Sequence, residues 1–313
     1  MAFDLHQLHA FTTIVSSGSL GRAAAALNVS QPALSRTIRR LEDHIGAPLF
    51  ERHSKGMQLT DIGGALLPHA TLLQRESEHA AEEINAMRGL AKGTIRLGSI
   101  GSLAYLVLPA AVAAVLAKWP NLKVQIIEGV WDRLAEALVK HEIDLALGVT
   151  VRDTDELVAI KDCRWEDWSH VVAAKDHPLR AKRSLKLADV MDERWAILPK
   201  GTAPYAHMEQ VFAANGLGIP NVVVETRSIS VLKSLIVQSG FLGWMPEPMY
   251  EAERQAGMIK TLQIAGVNGM RVLTAFRRRM GILPSPSVKL LEELRSLTGS
   301  SRPPGVAGYS AGD

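Results

Sequence analysis

The residues best suited to specific chemistry fall in one short run, "SQPALSRTIRRLEDHIG", from Ser30 to Gly46. Gln31 and Arg36 have side chains that can engage the edge of a base with two hydrogen bonds, and Ser35 adds a hydroxyl between them. Arg39 and Arg40 come next, and Arg52 and Lys55 follow a Gly-Ala-Pro break; all four carry charge suited to phosphate oxygens. The clustering matters because the 313-residue chain has 35 Lys and Arg against 32 Asp and Glu, a net charge of only +3. Any attraction for a polyanion must come from where the charge is placed. An arginine-rich face is also what an ordinary solvated helix shows, so the reading turns on which side of this helix is buried.

The surrounding sequence addresses that. Ser30 is a favourable N-cap, and Pro32 is tolerated in the first helical turn, where its missing amide would have no partner anyway. Leu34, Ile38, Leu41 and Ile45 recur at steps of four, three and four and make a buried stripe. Gln31, Pro32, Ser35, Arg36, Arg39 and Arg40 are thereby turned outward. Upstream, Asp4 caps a first helix bearing Leu5, Leu8, Phe11 and Val15, which stops at Ser17-Gly18, and Ser19 caps a second that runs to Leu27. Ala23 to Ala26 allow close approach to the third helix after a break at Asn28-Val29. Beyond Gly46, "PLFERHSKGMQLT" reads as two short extended pieces about a turn at Ser54 to Gly56. Residues 1–60 are expected to form a helical domain with a wing, a winged helix-turn-helix whose third helix suits a major groove of double-stranded DNA.

From Thr60 a long helix is expected to about Gly89. Leu66, Ala70, Leu73, Ser77, Ala80, Ile84 and Met87 alternate steps of four and three, a heptad seam that calls for a partner helix in a second copy. The same residues would also serve packing within one chain. Past Gly93 the rhythm becomes strand and helix in alternation. "TIRLGSI", "LKVQIIEG" and "IDLALGVT" make a first set, and "SHVVAA", "WAILPK", "NVVVET" and "FLGWMP" a second. The closing strand "MRVLTAFRR" and helix "SVKLLEELRSL" have no partners in the second set and are expected to return to the first. The result is a two-lobed α/β domain over 93–298, with lobe one about 93–162 and 267–298 and lobe two about 163–266. The tail, 299–313, lacks apolar periodicity and is expected to be disordered.

Ligands of such domains favour the cleft beyond the carboxyl ends of the strands, near helix N-termini. Ser102 and Thr202 stand at such positions, one in each lobe, with Tyr205 and Arg227 offering an aromatic wall and a positive charge. Simple helix capping is the alternative for Ser102 and Thr202, and an internal salt bridge for Arg227. An enzyme reading fares badly. "GSIGS" is not a Gly-x-Ser-x-Gly elbow, no His-Glu metal spacing is present, and Cys163 falls where the chain would cross between lobes. No catalytic residue, metal or cofactor is expected. The N-terminus has no basic and apolar leader pattern, and the apolar run from Leu103 to Trp119 is short and contains Pro109, so a cytoplasmic protein without a membrane segment is expected. A transport-type solute-binding protein would account for two lobes but not for the basic third helix.

The order "FTTIVSSGSLGRAAAALNVSQPALSRTIRRLEDHIGAPLFERHSKGMQLTDIGG" closely resembles the N-terminal signature of the LysR-type transcriptional regulators, and the likeness extends over nearly the whole chain. The resemblance implies a winged helix-turn-helix, a dimerising linker helix over 61–89 and a two-lobed effector domain like that of periplasmic solute-binding proteins. It also implies a homo-oligomer, a dimer through the linker helix and a tetramer beyond it. The family's third-helix motif falls on Ser30, Gln31, Pro32, Ala33, Ser35 and Arg36, and its wing arginine on Arg52; Lys55 stands where a second arginine is common and lacks its bidentate geometry. Effector-contact positions fall by resemblance at Ser102, Trp131, Val149, Thr202, Ser228, Ile229 and Pro246, with packing as the alternative for Trp131. The implied partners are double-stranded DNA, a polar or carboxylated metabolite and, for an activator, RNA polymerase. The effector half resembles more loosely the regulators of sugar and aromatic-acid catabolism, including the galactose-binding-protein regulator group.

Overall fold

The computed structural model describes residues 3–53, 56–88, 92–265, 267 and 269–298. The chain divides into two compact units, the first comprising residues up to Lys92 together with Lys140–Glu142 and the second Gly93–Val139 and the residues from Ile143 onward. The first opens with three helices, α1 (Leu5–Ser17), α2 (Leu20–Ala26) and α3 (Gln31–Ile45). Each begins as its local sequence requires: the side chains of Asp4, Ser19 and Ser30 accept the amides of His6, Arg22 and Ala33. Gly18 and Gly46 close α1 and α3 in left-handed backbone. A hairpin follows, β1 (Phe50–His53) against β2 (Gly56–Leu59), and then the 27-residue helix α4 (Asp61–Met87).

The Thr60 hydroxyl accepts the amide of Gly63 and donates to Pro48 O, so it caps α4 and ties it to the wing. Gly63 itself is required by contact, since a β-carbon there would sit 2.3 Å from Leu49 O. Leu66 and Ala70 do not wait for a partner helix. They are buried in the core that Leu8, Phe11, Ile14, Ala23, Leu34, Ile38, Leu41 and Leu49 make within the same chain. Leu73 and Ile84 are exposed at 43% and 57%. The seam read from the sequence is thus divided, its first two positions packing internally and its later ones lying open. Met87's side chain lies outside the described residues.

The second unit contains, in order, β3 (Gly93–Ser99), α5 (Gly101–Leu106), α6 (Leu108–Lys118), β4 (Leu122–Glu128), α7 (Trp131–Val139), β5 (Leu145–Val149) and β6 (Leu157–Ala174). It continues with β7 (Trp195–Ile197), α8 (Ala203–Ala214), β8 (Val222–Glu225), α9 (Ile229–Ser239), β9 (Gly243–Pro246), α10 (Glu251–Gln255), β10 (Ile259–Thr261), β11 (Met270–Arg278) and α11 (Ser285–Ser296). β3 pairs in parallel with β4 and β5, as the alternation predicts. β11 returns to this lobe, antiparallel to both β5 and β6.

Strand β6 differs from the sequence expectation. In place of a short "SHVVAA" strand it runs unbroken for 18 residues, pairing with β11 in its first part and with β9 and β10 in its last. It therefore belongs to both lobes. Cys163 is not at the crossing: it is buried in the lobe-one core with Leu97, Leu145 and Phe276, while Val171 and Val172 enter the lobe-two clusters around Trp195 and Trp244 and around Ile236 and Met245. Period two does not mark the first part of β6, because its buried positions Leu157, Ile160 and Cys163 step by three through a bulge opposite Thr274 and Ala275, and alternation begins only at Cys163. The tail from 299 lies outside the described residues.

Candidate functional site

The N-terminal candidate is built on α3. Burial of Leu34, Ile38 and Leu41 fixes its rotation, and Gln31, Pro32, Arg36, Arg39 and Arg40 are left exposed, with Ala33 and Ser35 half-buried. Asn28, in left-handed backbone at φ 53°, makes the tight link from α2 to α3. The carboxylate of Glu42 accepts the amide of Leu49 at 2.8 Å and so fastens the end of α3 to the start of the wing. Arg52 lies on β1, opposite Met57, and its side chain lies outside the described residues, as does Lys55 altogether. The helix α1 is held to α4 by polar contacts as well: Thr12 donates to Gln74 Oε1 at 2.7 Å, and Gln74 Nε2 donates to His9 Nδ1 at 2.8 Å.

The second candidate is a cleft of about 430 Å³ between the lobes of the second unit. Five of the residues expected there line it: Ser102, Trp131, Thr202, Arg227 and Ile229. Four do not. Tyr205 packs in the lobe-two core, Val149 packs against the lobe-one core, Ser228 caps α9 by accepting Val231's amide, and Pro246 ends β9 in pairing with Ser169. Trp131 is a packing residue that also borders the cleft. Its ring packs on Phe276 at 4.3 Å between centroids and against Gly148, where a β-carbon would come within 2.3 Å of it, and it also borders the cleft.

Neither expected hydroxyl behaves as a helix cap. Thr202 occupies the N-cap position of α8, yet its side chain donates to Pro199 O at 2.8 Å, so no side chain covers the first-turn amides of that helix. Ser102 is inside α5, beyond its Ile100 N-cap, and its Oγ accepts from Arg271 Nη2 at 2.7 Å. Arg271 in turn grips Asp167 with Nε to Oδ1 at 2.8 Å and Nη2 to Oδ2 at 2.5 Å. Arg271 is 7% exposed and Asp167 2%, and Arg271 lines the cleft. Sequence reasoning missed both residues. A signal was present, because Arg271 shares a strand face with Leu273 and Ala275, and Asp167 with Cys163 and Trp165, all buried. Opposite charges on two buried faces are expected to pair.

Burial is the main cause of the pKa shifts in this unit. Burial, with the nearby Arg271 cation adding to it, pulls His207 down to about 4, against a weaker upward pull from Asp167. Burial also lowers His170, opposed by Glu247 and Asp167. Both rings are neutral at pH 7. The Cys163 thiol is pushed up to about 11, chiefly by burial, and stays protonated. Among the described residues no group of three or more His, Cys, Asp or Glu could hold a metal ion, and no helix is long and apolar enough to cross a membrane.

The family model for a bacterial regulatory helix-turn-helix protein of the LysR family matches residues 5–64, and that for the LysR substrate binding domain matches residues 88–297. The chain is 28% identical over 263 residues to the uncharacterized HTH-type transcriptional regulator YdcI of Escherichia coli, covering 84% of this chain and 85% of that one. It is 28% identical over 243 residues to the HTH-type transcriptional regulator GbpR of Azospirillum brasilense, covering 75% and 69%. Among solved structures, full-length CbnR in complex with its target DNA matches with a TM-score of 0.69 at 21% identity, over 94% of this chain and 99% of that one, which shows a common fold. A helix-turn-helix match and an effector-domain match in this order, the second alone spanning well over half of the sequence, place the chain in the LysR family of DNA-binding transcriptional regulators.

Proposed function

We propose that the protein reads a specific duplex through Gln31, Ser35 and Arg36 of α3, with Ser30, Pro32 and Ala33 setting the approach of that helix end and Arg39, Arg40, Arg52 and Lys55 meeting phosphates. A small polar or carboxylated metabolite in the inter-lobe cleft then alters transcription of metabolic genes. The observation that carries the reading is the division of α3 into a face buried on Leu34, Ile38 and Leu41 and an exposed face that is cationic. The cleft supports the second half: Ser102, Trp131, Thr202, Arg227 and Ile229 give it polar groups against an aromatic wall. A thiol held protonated at Cys163 disfavours nucleophilic catalysis at that residue. Pairing of copies through the open part of α4, a tetramer beyond it, and contact with RNA polymerase for an activator complete the reading.

The test is selection of duplexes from a random library by the full-length protein, followed by anisotropy titration at about 150 mM salt. A selected sequence should bind at least about a thousandfold more tightly than a scrambled one. Equal retention of both would reject the sequence-reading role.

A further inference from the structure

The cleft offers the ligand a set of donors, and the reason lies in one arginine. Arg271 spends Nε and Nη2 on three bonds to Asp167 and Ser102, none of which uses Nη1, although the residue lines the cleft. Because the Ser102 oxygen accepts from Arg271, the one hydroxyl proton of Ser102 is left to donate elsewhere. Across the cleft, Ala203 opens α8 with no side-chain cap on its first turn, since Thr202 has turned its own proton to Pro199. Guanidinium, hydroxyl and helix amides are all donors, a combination that suits an oxyanion and suits a neutral amide poorly.

The charge balance narrows the class. Arg133, Arg227 and Arg271 line the cleft with Glu128, and Asp167 stands behind Arg271 in a buried pair. With Arg133 set beside Glu136 at 3.8 Å, Arg271 beside Asp167, and Glu128 counted against Arg227, the lining holds no surplus positive charge for a second carboxylate. We infer that Arg271 is the specificity-determining residue of the cleft, receiving a single carboxylate of the effector through Nη1 beside Ser102, while Asp167 cancels enough charge to select a monoanion over a dianion. The inference rests on the reading of the cleft as the effector site.

Three probes of equal chain length test it: butanoate, butanamide and butanedioate, titrated calorimetrically into the full-length protein at pH 8. Butanoate should bind about tenfold or more tightly than butanamide, and more tightly than butanedioate. Arg271→Gln should erase the preference for butanoate over butanamide. Asp167→Asn should improve butanedioate by about tenfold, a gain that a merely structural pair would not produce. Since Arg271→Gln strands a buried carboxylate, the double change Asp167→Asn with Arg271→Gln keeps the shape without either charge, and it should also bind butanoate and butanamide alike. Equal wild-type affinity for those two, a preference that survives in the double variant, or no binding of any probe overturns the inference. Ile229→Trp, which narrows the cleft from α9, separates this from failure of the underlying reading: binding that persists unchanged in that variant places the acid elsewhere and removes the cleft as the effector site.

Discussion

Arg271 on β11 and Asp167 on β6 are direct cross-strand partners, and their side chains close a bidentate pair in the middle of the effector unit. The pair lies where β6 passes from one lobe to the other, so it braces the crossing as well as the cleft wall. Breaking such a buried pair costs more than replacing it, because the survivor is left charged and dry. Asp167→Ala or Arg271→Met alone should each destabilise the protein by about 3 to 5 kcal/mol in urea unfolding. The double replacement Asp167→Leu with Arg271→Met should cost clearly less than the two singles combined. Additive losses would show that the residues do not act as a pair.

Arg36 and Arg40 are both exposed on α3, and their roles are expected to differ. Arg36→Ala should relax sequence preference, whereas Arg40→Ala should weaken selected and scrambled duplexes alike and reduce the salt slope by about one. Anisotropy titrations over a salt series give both quantities, and matching behaviour of the two variants would refute the assignment.

Leu73 and Ala70 are three residues apart on α4 and face different fates, one exposed and one fully buried in its own chain. Leu73→Asp should leave the folded subunit intact and shift the protein to smaller species in light scattering, because it places a charge in the proposed seam between copies. Ala70→Asp should lower the melting temperature of the N-terminal unit whatever the oligomer, as a charge is forced into a packed core. An unchanged particle size for Leu73→Asp would mean that this part of α4 is not the dimer seam.

His207 gives a pH dependence whose sign is set by its depressed value. The unfolded chain takes up a proton near 6.5 and the folded one only near 4, so this residue costs nothing above pH 7 and progressively destabilises the fold as pH falls from about 6.5 to about 4. Partial exposure reduces the effect to about 2 kcal/mol across that window. In urea unfolding at pH 7.5 and pH 4.5, His207→Gln should lose less stability on acidification than the parent does. Identical acid sensitivity would assign the loss to other groups.

Much of the architecture can be read without coordinates because its causes act over a few residues. Asp4, Ser19, Ser30 and Thr60 each accept an amide two or three positions ahead, so their caps are written in adjacent sequence. The same holds for the stripe of Leu34, Ile38 and Leu41, whose spacing alone orients α3 and turns its arginines outward. The cleft is another matter. Ser102 finds its partner 169 positions away, and Asp167 meets Arg271 across 104, through a register of β6 against β11 that no local pattern specifies. The division of the α4 seam likewise depends on where α1 to α3 dock, which buries Ala70 and leaves Leu73 open. Short-range hydrogen bonds and periodicity depend on neighbouring residues, whereas pairings of distant charged groups depend on how whole strands and helices pack, and it is those pairings that gave the cleft its donors.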